Sequence, residues 1–253
     1  MLSEPQTNFN EILGRLRSGF QFSEYEINEK DFSRFVNESK YPESYKNRFG
    51  SYYMEKLLEH YLSLKLLNIN SNDVLIDIAA DQSFFAEYVH RTYNIEAYQQ
   101  DLIYPKGITS SSSVPLVGGD AAVLPFRDNY FSVIPLHCSL EHFEQDSDIL
   151  FMIEAQRVLK PEGRMCILPL YLGNTYHAIT DPAICDDLSF DGPIYERPGF
   201  GNRQCRVYSI DAFRERLIDS NSMDLRIHYI KNAQEIDPCS YCCLAAVFTK
   251  LCH

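Results

Sequence analysis

Acidic residues stand at the ends of short apolar segments in the first half of the chain. Asp77 lies in the segment Val74–Ala79, Asp101 ends a second segment, and Asp120 follows a third. Short apolar segments of this kind are typical of strands that are covered on both faces. In a doubly wound sheet, ligands bind where the strands' carboxyl ends meet, and an acid about 20 residues after the first strand can hold a ribose. The spacing therefore predicts a crevice for a nucleoside-like ligand, although each acid could instead only organise a turn.

A second group of reactive side chains follows the apolar segment Phe131–Leu136. It contains His137, Glu141 and His142. Because histidine titrates near neutral pH, His142 is a candidate general base, and His137 and His177 are weaker candidates of the same kind. The alternative interpretation is that Glu141 and His142 only shape the loop after the fourth strand.

The hydrophobic pattern predicts the elements that position these residues. Residues 1–70 are predicted to be a helical N-terminal extension. Apolar segments then alternate with helical patterns, which predicts an α/β fold with a doubly wound, mostly parallel, seven-stranded sheet. We expect a single domain over residues 1–253. Residues 174–206 carry Gly, Pro, Asp and Asn, and they are predicted to form an inserted loop or lid.

Composition and charge restrict the kind of partner. The chain carries 23 Lys and Arg against 35 Asp and Glu, for a net charge of −12, which disfavours nucleic-acid binding. We therefore expect a small-molecule acceptor and no nucleic acid. We expect no membrane partner either, because no segment approaches the roughly 20 apolar residues of a transmembrane helix. With no recognisable export signal, a cytoplasmic protein with reduced cysteines is expected.

Two further clusters have structural interpretations. Cysteines and a histidine near the C-terminus lack the two well-spaced ligand pairs of a zinc site, so no metal is predicted. They are Cys239, Cys242, Cys243, Cys252 and His253. Aromatic residues at helical spacing are predicted to pack mostly in the core, although some could cover an acceptor site. They are Tyr41, Tyr45, Phe49, Tyr52 and Tyr53.

Five segments of the chain occur in a characteristic order and spacing. They are Val74–Ala80, Gln100–Leu102, Gly119–Phe126, Leu140–His142 and Arg157–Gly163. Together they resemble the successive motifs of class I S-adenosylmethionine (SAM)-dependent methyltransferases, and within that class the type 11 methyltransferase-domain family. The resemblance covers about residues 70–170 well and residues 207–253 in pattern only. It implies a Rossmann-like methyltransferase fold.

The resemblance also implies SAM as the cofactor and assigns contacts for its adenosine half. Asp101 would hold the ribose hydroxyls, and Leu102 would lie against the adenine face. Asp120 would accept a hydrogen bond from the adenine amino group, and Ala121 would offer its backbone N–H to the ring.

The methionine half of SAM would be bound by the turn after the first strand. Its contacts would come from Asp77, from the backbone of Ala79 and Ala80, and from the backbone near His137. The family normally has glycine at three positions of this turn, which are occupied here by Ala79, Asp81 and Ser83. Glycine permits positive φ and a close approach of the backbone, whereas the Asp81 carboxylate would lie near that of SAM. Ser83 could bond to the following helix and leave Asp81 facing solvent or a bound cation.

These implications give three hypotheses for function. The first is a SAM-dependent methyltransferase acting on a small-molecule acceptor, with oxygen favoured as the acceptor atom and His142 as the base. The glycine-free turn motivates the second, a methyltransferase-like binding or scaffold protein without catalysis. The third keeps SAM but performs a different reaction, such as a SAM-assisted cyclisation.

Overall fold

The computed structural model describes residues 5–109, 113–238 and 240–252. Its helices and strands, numbered in chain order, alternate along most of the chain. The α-helices span α1 Phe9–Gly19, α2 Glu29–Glu38, α3 Glu43–Phe49, α4 Tyr53–Leu66, α5 Phe85–Tyr93, α6 Ser147–Val158, α7 Ile210–Phe213 and α8 Ala233–Ile236. The strands span β1 Gln21–Tyr25, β2 Val74–Ile78, β3 Glu96–Thr109, β4 Leu116–Gly118, β5 Phe131–His137, β6 Leu159–Leu168, β7 His177–Thr180, β8 Ile194–Glu196, β9 Cys205–Val207, β10 Asp224–Ile230 and β11 Leu244–Thr249.

A mixed sheet with the order β1-β10-β11-β6-β5-β2-β3-β4 forms the centre of the protein. Only β11 runs antiparallel to its neighbours within this described sheet, so the predicted doubly wound, mostly parallel α/β fold is confirmed. The chain proceeds outward from β2 through β3 to β4, and then returns to β5 on the other side of β2. The strand order therefore reverses between β2 and β5, where doubly wound sheets form their ligand crevice.

The sheet has an eighth strand in addition to the seven predicted. β1 comes from the predicted helical N-terminal region and pairs in parallel with β10, from Gln21 opposite Arg226 to Tyr25 opposite Ile230. Without it, β10 would be an edge strand with unpaired backbone groups, and β1 satisfies those groups. The N-terminal region is therefore helical apart from β1, with α1 to α4 around it.

Helices cover both faces of the sheet, and side chains alternate between the two cores. In β2, Ile76 and Ile78 belong to the core beneath α1, α6 and α7, whereas Leu75 belongs to the core beneath α2, α4 and α5. Asp77 shares the face of Leu75, because alternate residues of a strand point to the same side. The strand thus directs a carboxylate toward α4.

Residues 174–206 are more regular than the predicted loop. They contain β7 and β8, which join β9 in a second, three-stranded sheet of order β8-β7-β9. This small sheet is joined to α6 through Asp148, which is fully buried. The Asp148 carboxylate accepts hydrogen bonds from Arg216 at 3.0 and 2.8 Å and from the Tyr208 hydroxyl at 2.8 Å, and it pairs with the fully buried Arg206.

The turn between β2 and α5 has left-handed backbone without glycine. Ala79 has φ 51° and Asp81 has φ 48°, a region that costs an L-residue roughly 1–2 kcal/mol. Backbone hydrogen bonds to β3 hold the turn in place. Ala79 N–H donates to Gln100 Oε1 at 3.2 Å, Ala80 N–H to the Gln100 carbonyl at 2.9 Å, and Asp81 N–H to Asp101 Oδ2 at 2.7 Å.

The Asp81 side chain has a partner that the sequence interpretation did not consider. Its carboxylate pairs with Arg48 of α3, and the Tyr104 hydroxyl donates to its carbonyl oxygen. The Asp81 side chain is 45% exposed and has a guanidinium of the protein itself as its counter-charge. Ser83 Oγ accepts a hydrogen bond from the first N–H of α5, that of Phe85, at 3.1 Å.

Three observations bear on other expectations from the sequence. No helix in the described ranges is long and apolar enough to cross a membrane. Cys239 and His253 lie outside the described residues. Among the remainder, no three His, Cys, Asp or Glu side chains are grouped so that they could hold a metal ion.

Removal of the Asp148 carboxylate should destabilise the protein strongly. Asp148→Asn leaves the buried Arg206 without its counter-charge and Arg216 with only the exposed Asp146 and Asp191, and loss of one partner of a buried pair typically costs about 3–5 kcal/mol. The measurement is urea unfolding at pH 7. Asp128→Asn is the control, because Asp128 pairs with Arg157 at the surface, with 70% of its side chain exposed, and should change stability by less than about 1 kcal/mol. Similar losses for the two variants would contradict the anchoring role of Asp148.

Relief of the left-handed strain should stabilise the turn. We expect Ala79→Gly to raise the unfolding free energy by about 0.5–1 kcal/mol, since glycine adopts positive φ without a steric penalty. This corresponds to a rise in Tm of about 1–4 °C, measurable by thermal unfolding. The adjacent Ala80 lies outside the left-handed region, so Ala80→Gly should lower stability instead. Shifts of the same sign for both variants would contradict the proposed strain.

Candidate functional site

The polar residues at the strand ends lie together around a first cavity, cavity A, of about 240 Å³. It is located beyond β2, β3 and β4 and is bounded on its other side by the segment before α6. Its lining residues are Ala79, Gln100, Asp101, Leu102, Asp120, Ala121, His142, Phe143, Glu144 and Ser147. The structure therefore brings together most of the residues that the sequence assigned to the adenosine half of SAM.

Asp101 and Asp120 of cavity A also accept hydrogen bonds from backbone N–H groups, as expected if they organise turns. Asp101 accepts the N–H of Asp81 through Oδ2 and the N–H of Ile103 through Oδ1 at 3.1 Å. Asp120 Oδ1 accepts the N–H of Ala122 at 2.9 Å. An ionised carboxylate can accept about four hydrogen bonds, so each acid keeps acceptor capacity toward the cavity. The two interpretations of these acids are compatible.

A second cavity, cavity B, has a volume of about 150 Å³ and lies on the α4 side of the same turn. It shares Ala79 with cavity A. Its lining residues are Tyr45, Phe49, Lys56, Glu59, His60, Asp77, Ala79, Ala80, Asp81, Gln82, Ser83, His137 and Cys138. The residues assigned to the methionine half of SAM, namely Asp77, Ala79, Ala80 and His137, all border cavity B.

Asp77 and His137 form a buried pair at the ends of the adjacent strands β2 and β5. Asp77 is 1% exposed, and its Oδ1 lies 3.4 Å from Nδ1 of His137. His137 Nε2 bonds to the Ser63 hydroxyl at 2.7 Å. Asp77 Oδ2 has no hydrogen-bond partner within the described residues. The backbone N–H groups of Ala79 and Ala80 donate to Gln100 and not to Asp77. Asp77 Oδ2 therefore remains available as an acceptor for a ligand.

Helix α4 adds charged residues to cavity B that the sequence analysis did not select. Lys56 Nζ lies 2.8 Å from Glu59 Oε1. Burial raises the pKa of the Glu59 carboxyl, and the charge of Lys56 opposes this shift. Burial alone would lower the pKa of Lys56, but the charge of Glu59 outweighs it, so the pKa lies above its ordinary value. The sequence did contain a sign of these buried charges, because Lys56 and Glu59 lie among the leucines of an apolar helix.

A third and larger cavity, cavity C, has a volume of about 770 Å³. It borders cavity B through Phe49, Lys56 and Cys138, and it borders cavity A through His142. Aromatic side chains from four separate parts of the chain line it: Phe49, Tyr52, Tyr171, Phe200 and Tyr241. Phe49 and Tyr52 belong to the aromatic stripe, which the sequence analysis allowed to cover an acceptor site.

Burial makes three of the hydroxyl and thiol groups of cavity C harder to ionise. Burial raises the pKa of the Tyr171 and Tyr241 hydroxyls, and burial also raises the pKa of the Cys138 thiol. Cys138 Sγ lies 3.3 Å from the Tyr241 hydroxyl. These groups can therefore bond to a ligand but are poorly suited to remove a proton from it, which leaves histidine as the better base.

His142 lies at the boundary of cavities A and C, with 38% of its side chain exposed. Its Nδ1 bonds to the carbonyl oxygen of Gln204, which can only accept, so Nδ1 carries the hydrogen. In the neutral ring, Nε2 is then the basic nitrogen. It lies 3.7 Å from Oε1 of the buried Glu141, whose charge would stabilise a protonated ring.

His177 is not brought to the site. It lies buried in β7, with Nδ1 3.0 Å from the Thr175 carbonyl oxygen and its ring edge-on to Tyr195. It is not among the residues that line cavities A to C. The insertion contributes cavity walls rather than the alternative base that the sequence suggested.

Comparisons with known proteins agree with this geometry. Residues 76–167 match a family model described as a methyltransferase domain. The comparison with curated proteins gives no match. Several solved structures share the fold of the whole chain.

One of these is a chain described as a methyltransferase, solved with the Trm112 methyltransferase activator from Haloferax volcanii, at 14% identity and TM-score 0.56, covering 83% of this chain and 96% of its own. Another is the Burkholderia thailandensis 1,6-didemethyltoxoflavin-N1-methyltransferase, solved with 1,6-didemethyltoxoflavin and S-adenosylhomocysteine, at 14% identity and TM-score 0.51, covering 99% and 94%. A SAM-dependent methyltransferase from Aquifex aeolicus has 14% identity and TM-score 0.50, covering 84% and 100%.

Such identities establish the fold alone, and the family match covers the part of the chain that carries β2 to β6. Residues 76–167 therefore match the model of a methyltransferase domain, and the chain has the Rossmann-like fold of these methyltransferase structures.

Proposed function

We propose that the protein is a SAM-dependent methyltransferase that acts on a small-molecule acceptor, with oxygen as the favoured acceptor atom. The observation that supports it most directly is the arrangement of three adjoining cavities at the point where the strand order reverses. Cavity A has carboxylates beside apolar walls, cavity B has buried charges, and cavity C has aromatic walls. These three chemistries match adenosine, an amino acid and an organic acceptor.

The residues of cavity A fit the adenosine half of SAM. Asp101 and Asp120 would accept hydrogen bonds from the ribose hydroxyls and the adenine amino group, using the acceptor positions that the backbone leaves free. Leu102 and Ala121 supply apolar surface beside them. Leu102 is 74% exposed, so an adenine ring stacked on it would remove apolar surface from water.

The residues of cavity B fit the methionine half. Asp77 Oδ2 is buried without a hydrogen-bond partner in the described part of the chain, and an unsatisfied buried carboxylate oxygen is costly. The backbone of Ala79 and Ala80 and the segment ending at His137 form the neighbouring walls. Bound SAM would supply a methyl group on a positively charged sulfur, which is the electrophile of the reaction.

The side chains of cavity C would position and activate the acceptor. His142 Nε2 would take the proton of an acceptor hydroxyl, and Glu141 would stabilise the resulting imidazolium. The aromatic walls favour a largely apolar, planar acceptor, and the neutral hydroxyls of Tyr171 and Tyr241 can bond to its oxygen atoms. The net charge of −12 opposes a nucleic-acid acceptor.

We also propose a cytoplasmic location. None of the seven cysteines that lie in the described residues forms a disulfide. Thiols are kept reduced in the cytosol, whereas exported proteins of this size commonly form disulfides.

The second candidate function is a methyltransferase-like binding or scaffold protein. The observation that favours it is the strained, glycine-free turn at Ala79 and Asp81, with Asp101 already engaged by the Asp81 N–H. The two candidates differ in one measurable property, which is affinity for S-adenosylhomocysteine (SAH), the demethylated product of SAM.

We expect the protein to bind SAH in isothermal titration calorimetry and Asp101→Ala to lose at least 100-fold in affinity. Each hydrogen bond from a hydroxyl to a charged group contributes about 1.5–3 kcal/mol, and a ribose would make two such bonds. Asp128→Asn, which changes an exposed acid outside the three cavities, is the control and should bind normally. Unchanged affinity in a folded Asp101→Ala variant would remove the ribose assignment, and absence of SAH binding by the unaltered protein at millimolar concentration would favour the scaffold.

The catalytic assignment of His142 predicts a loss of turnover without a loss of cofactor binding. In assays of SAH release with a panel of small phenols and other hydroxylated aromatics, His142→Ala should lower kcat by about 10²–10⁴-fold, the usual contribution of a general base. Affinity for SAH should change by only a few-fold. His177→Gln, outside the cavities, should keep its activity. A larger loss in His177→Gln than in His142→Ala would show that the base is misassigned.

A further inference from the structure

Two buried carboxylates from different parts of the chain border cavity B, and each has one oxygen without a hydrogen-bond partner among the described residues. Glu59 of α4 is fully buried and Asp77 of β2 is 1% exposed. One oxygen of each is used, since Glu59 Oε1 contacts Lys56 at 2.8 Å and Asp77 Oδ1 lies 3.4 Å from His137. Glu59 Oε2 and Asp77 Oδ2 have no hydrogen-bond partner among the described residues. Both residues line the same small cavity.

The charges around cavity B favour a cation. Lys56 is paired with Glu59, and Asp81 is paired with Arg48, so Asp77 leaves the cavity with an excess of negative charge. His60 does not compensate, since burial and the neighbouring His137 hold its pKa well below its ordinary value. Unsatisfied buried acceptors are costly, and a cationic donor group in the cavity would give these oxygens a partner.

We infer that Glu59 and Asp77 together bind an α-ammonium group in cavity B, and that this is the ammonium of the amino-acid end of SAM. The inference rests on the proposed function. An ammonium has three N–H donors and no acceptor, so it can serve two carboxylate oxygens and still donate once more. Cavity B, at about 150 Å³, is smaller than cavity A, at about 240 Å³, which suits it to the smaller, amino-acid half of SAM.

Glu59 lies outside residues 76–167, the segment that matches the methyltransferase-domain family. The N-terminal region therefore contributes a binding residue for the cofactor in addition to covering the sheet. Its contribution is selective, because a ligand that has the adenosine half but no ammonium group gains nothing from Glu59.

Calorimetry with two ligands tests this selectivity. The probes are SAH and 5′-methylthioadenosine, which share the adenosine half, whereas only SAH carries the amino-acid group. We expect Glu59→Gln to weaken SAH binding by at least tenfold and to leave the affinity for 5′-methylthioadenosine within twofold. The amide is similar in size to the carboxylate but lacks the negative charge and presents N–H groups.

Glu55→Gln is the matched control. Glu55 lies one turn earlier in α4, is equally buried, and also has an oxygen without a partner in the described chain. It accepts the N–H of Tyr241 at 2.9 Å and does not border cavity B. We expect its affinity for both probes to match that of the unaltered protein, and a selective loss of SAH binding in Glu55→Gln would overturn the assignment.

The possible results separate the inference from the function on which it rests. If Glu59→Gln binds both probes normally, or loses both equally, Glu59 does not bind the ammonium, although SAM binding stands. If the unaltered protein binds neither probe, the proposed function and the inference are both wrong. If Glu59→Gln does not fold because Lys56 is left unpaired, the double variant K56Q/E59Q replaces it, with the same selective loss expected and an equal loss for both probes as the contrary result.

Discussion

The positions of cavities A and B depend on one backbone constraint, the left-handed turn between β2 and α5. Two L-residues adopt positive φ there, and a conformation of this kind persists only where surrounding contacts determine it. Gln100 and Asp101 supply those contacts from β3, and Arg48 supplies a counter-charge from α3. Glycine would allow this turn through its own conformational freedom. Here, side chains from β3 and α3 hold the turn in place. The space on both sides of Ala79, which becomes cavities A and B, exists because of these contacts.

The same contacts make the N-terminal region part of the site. Arg48 reaches the turn, and Lys56 and Glu59 reach the buried end of β2. β1 joins the sheet at its far edge, so the region is attached at two separate places. The face of β2 that carries Asp77 is closed by α4, and burial is the reason that the charges of this cluster interact strongly.

The sequence predicted the features that depend on local pattern. Alternating apolar segments identified β2 to β6, and because parallel strands end at one edge, Asp77, Asp101 and Asp120 were expected near one another. The structure has them there, although their contacts with SAM stay predictions. The sequence did not predict β1, the small sheet of residues 174–206, or the direction of Glu59, because each depends on partners that are distant in the chain. From the sequence alone, Glu59 looks like a solvent-exposed residue of a helix. Its burial becomes evident only from the packing of α4 against β2.

Cavity C has a different origin from cavities A and B. Most of its wall comes from α3, the start of α4, the small sheet with its loops, and Tyr241, and only the short segment Cys138 to His142 comes from within residues 76–167. Under the proposed function, the adenosine half of the cofactor and the acceptor would therefore be recognised by largely separate stretches of the polypeptide. Substitutions in the small sheet would then alter acceptor recognition without disturbing cavity A. Two proteins with nearly identical central segments could consequently methylate unrelated compounds, and a match over the central segment alone would say little about which compound is chosen.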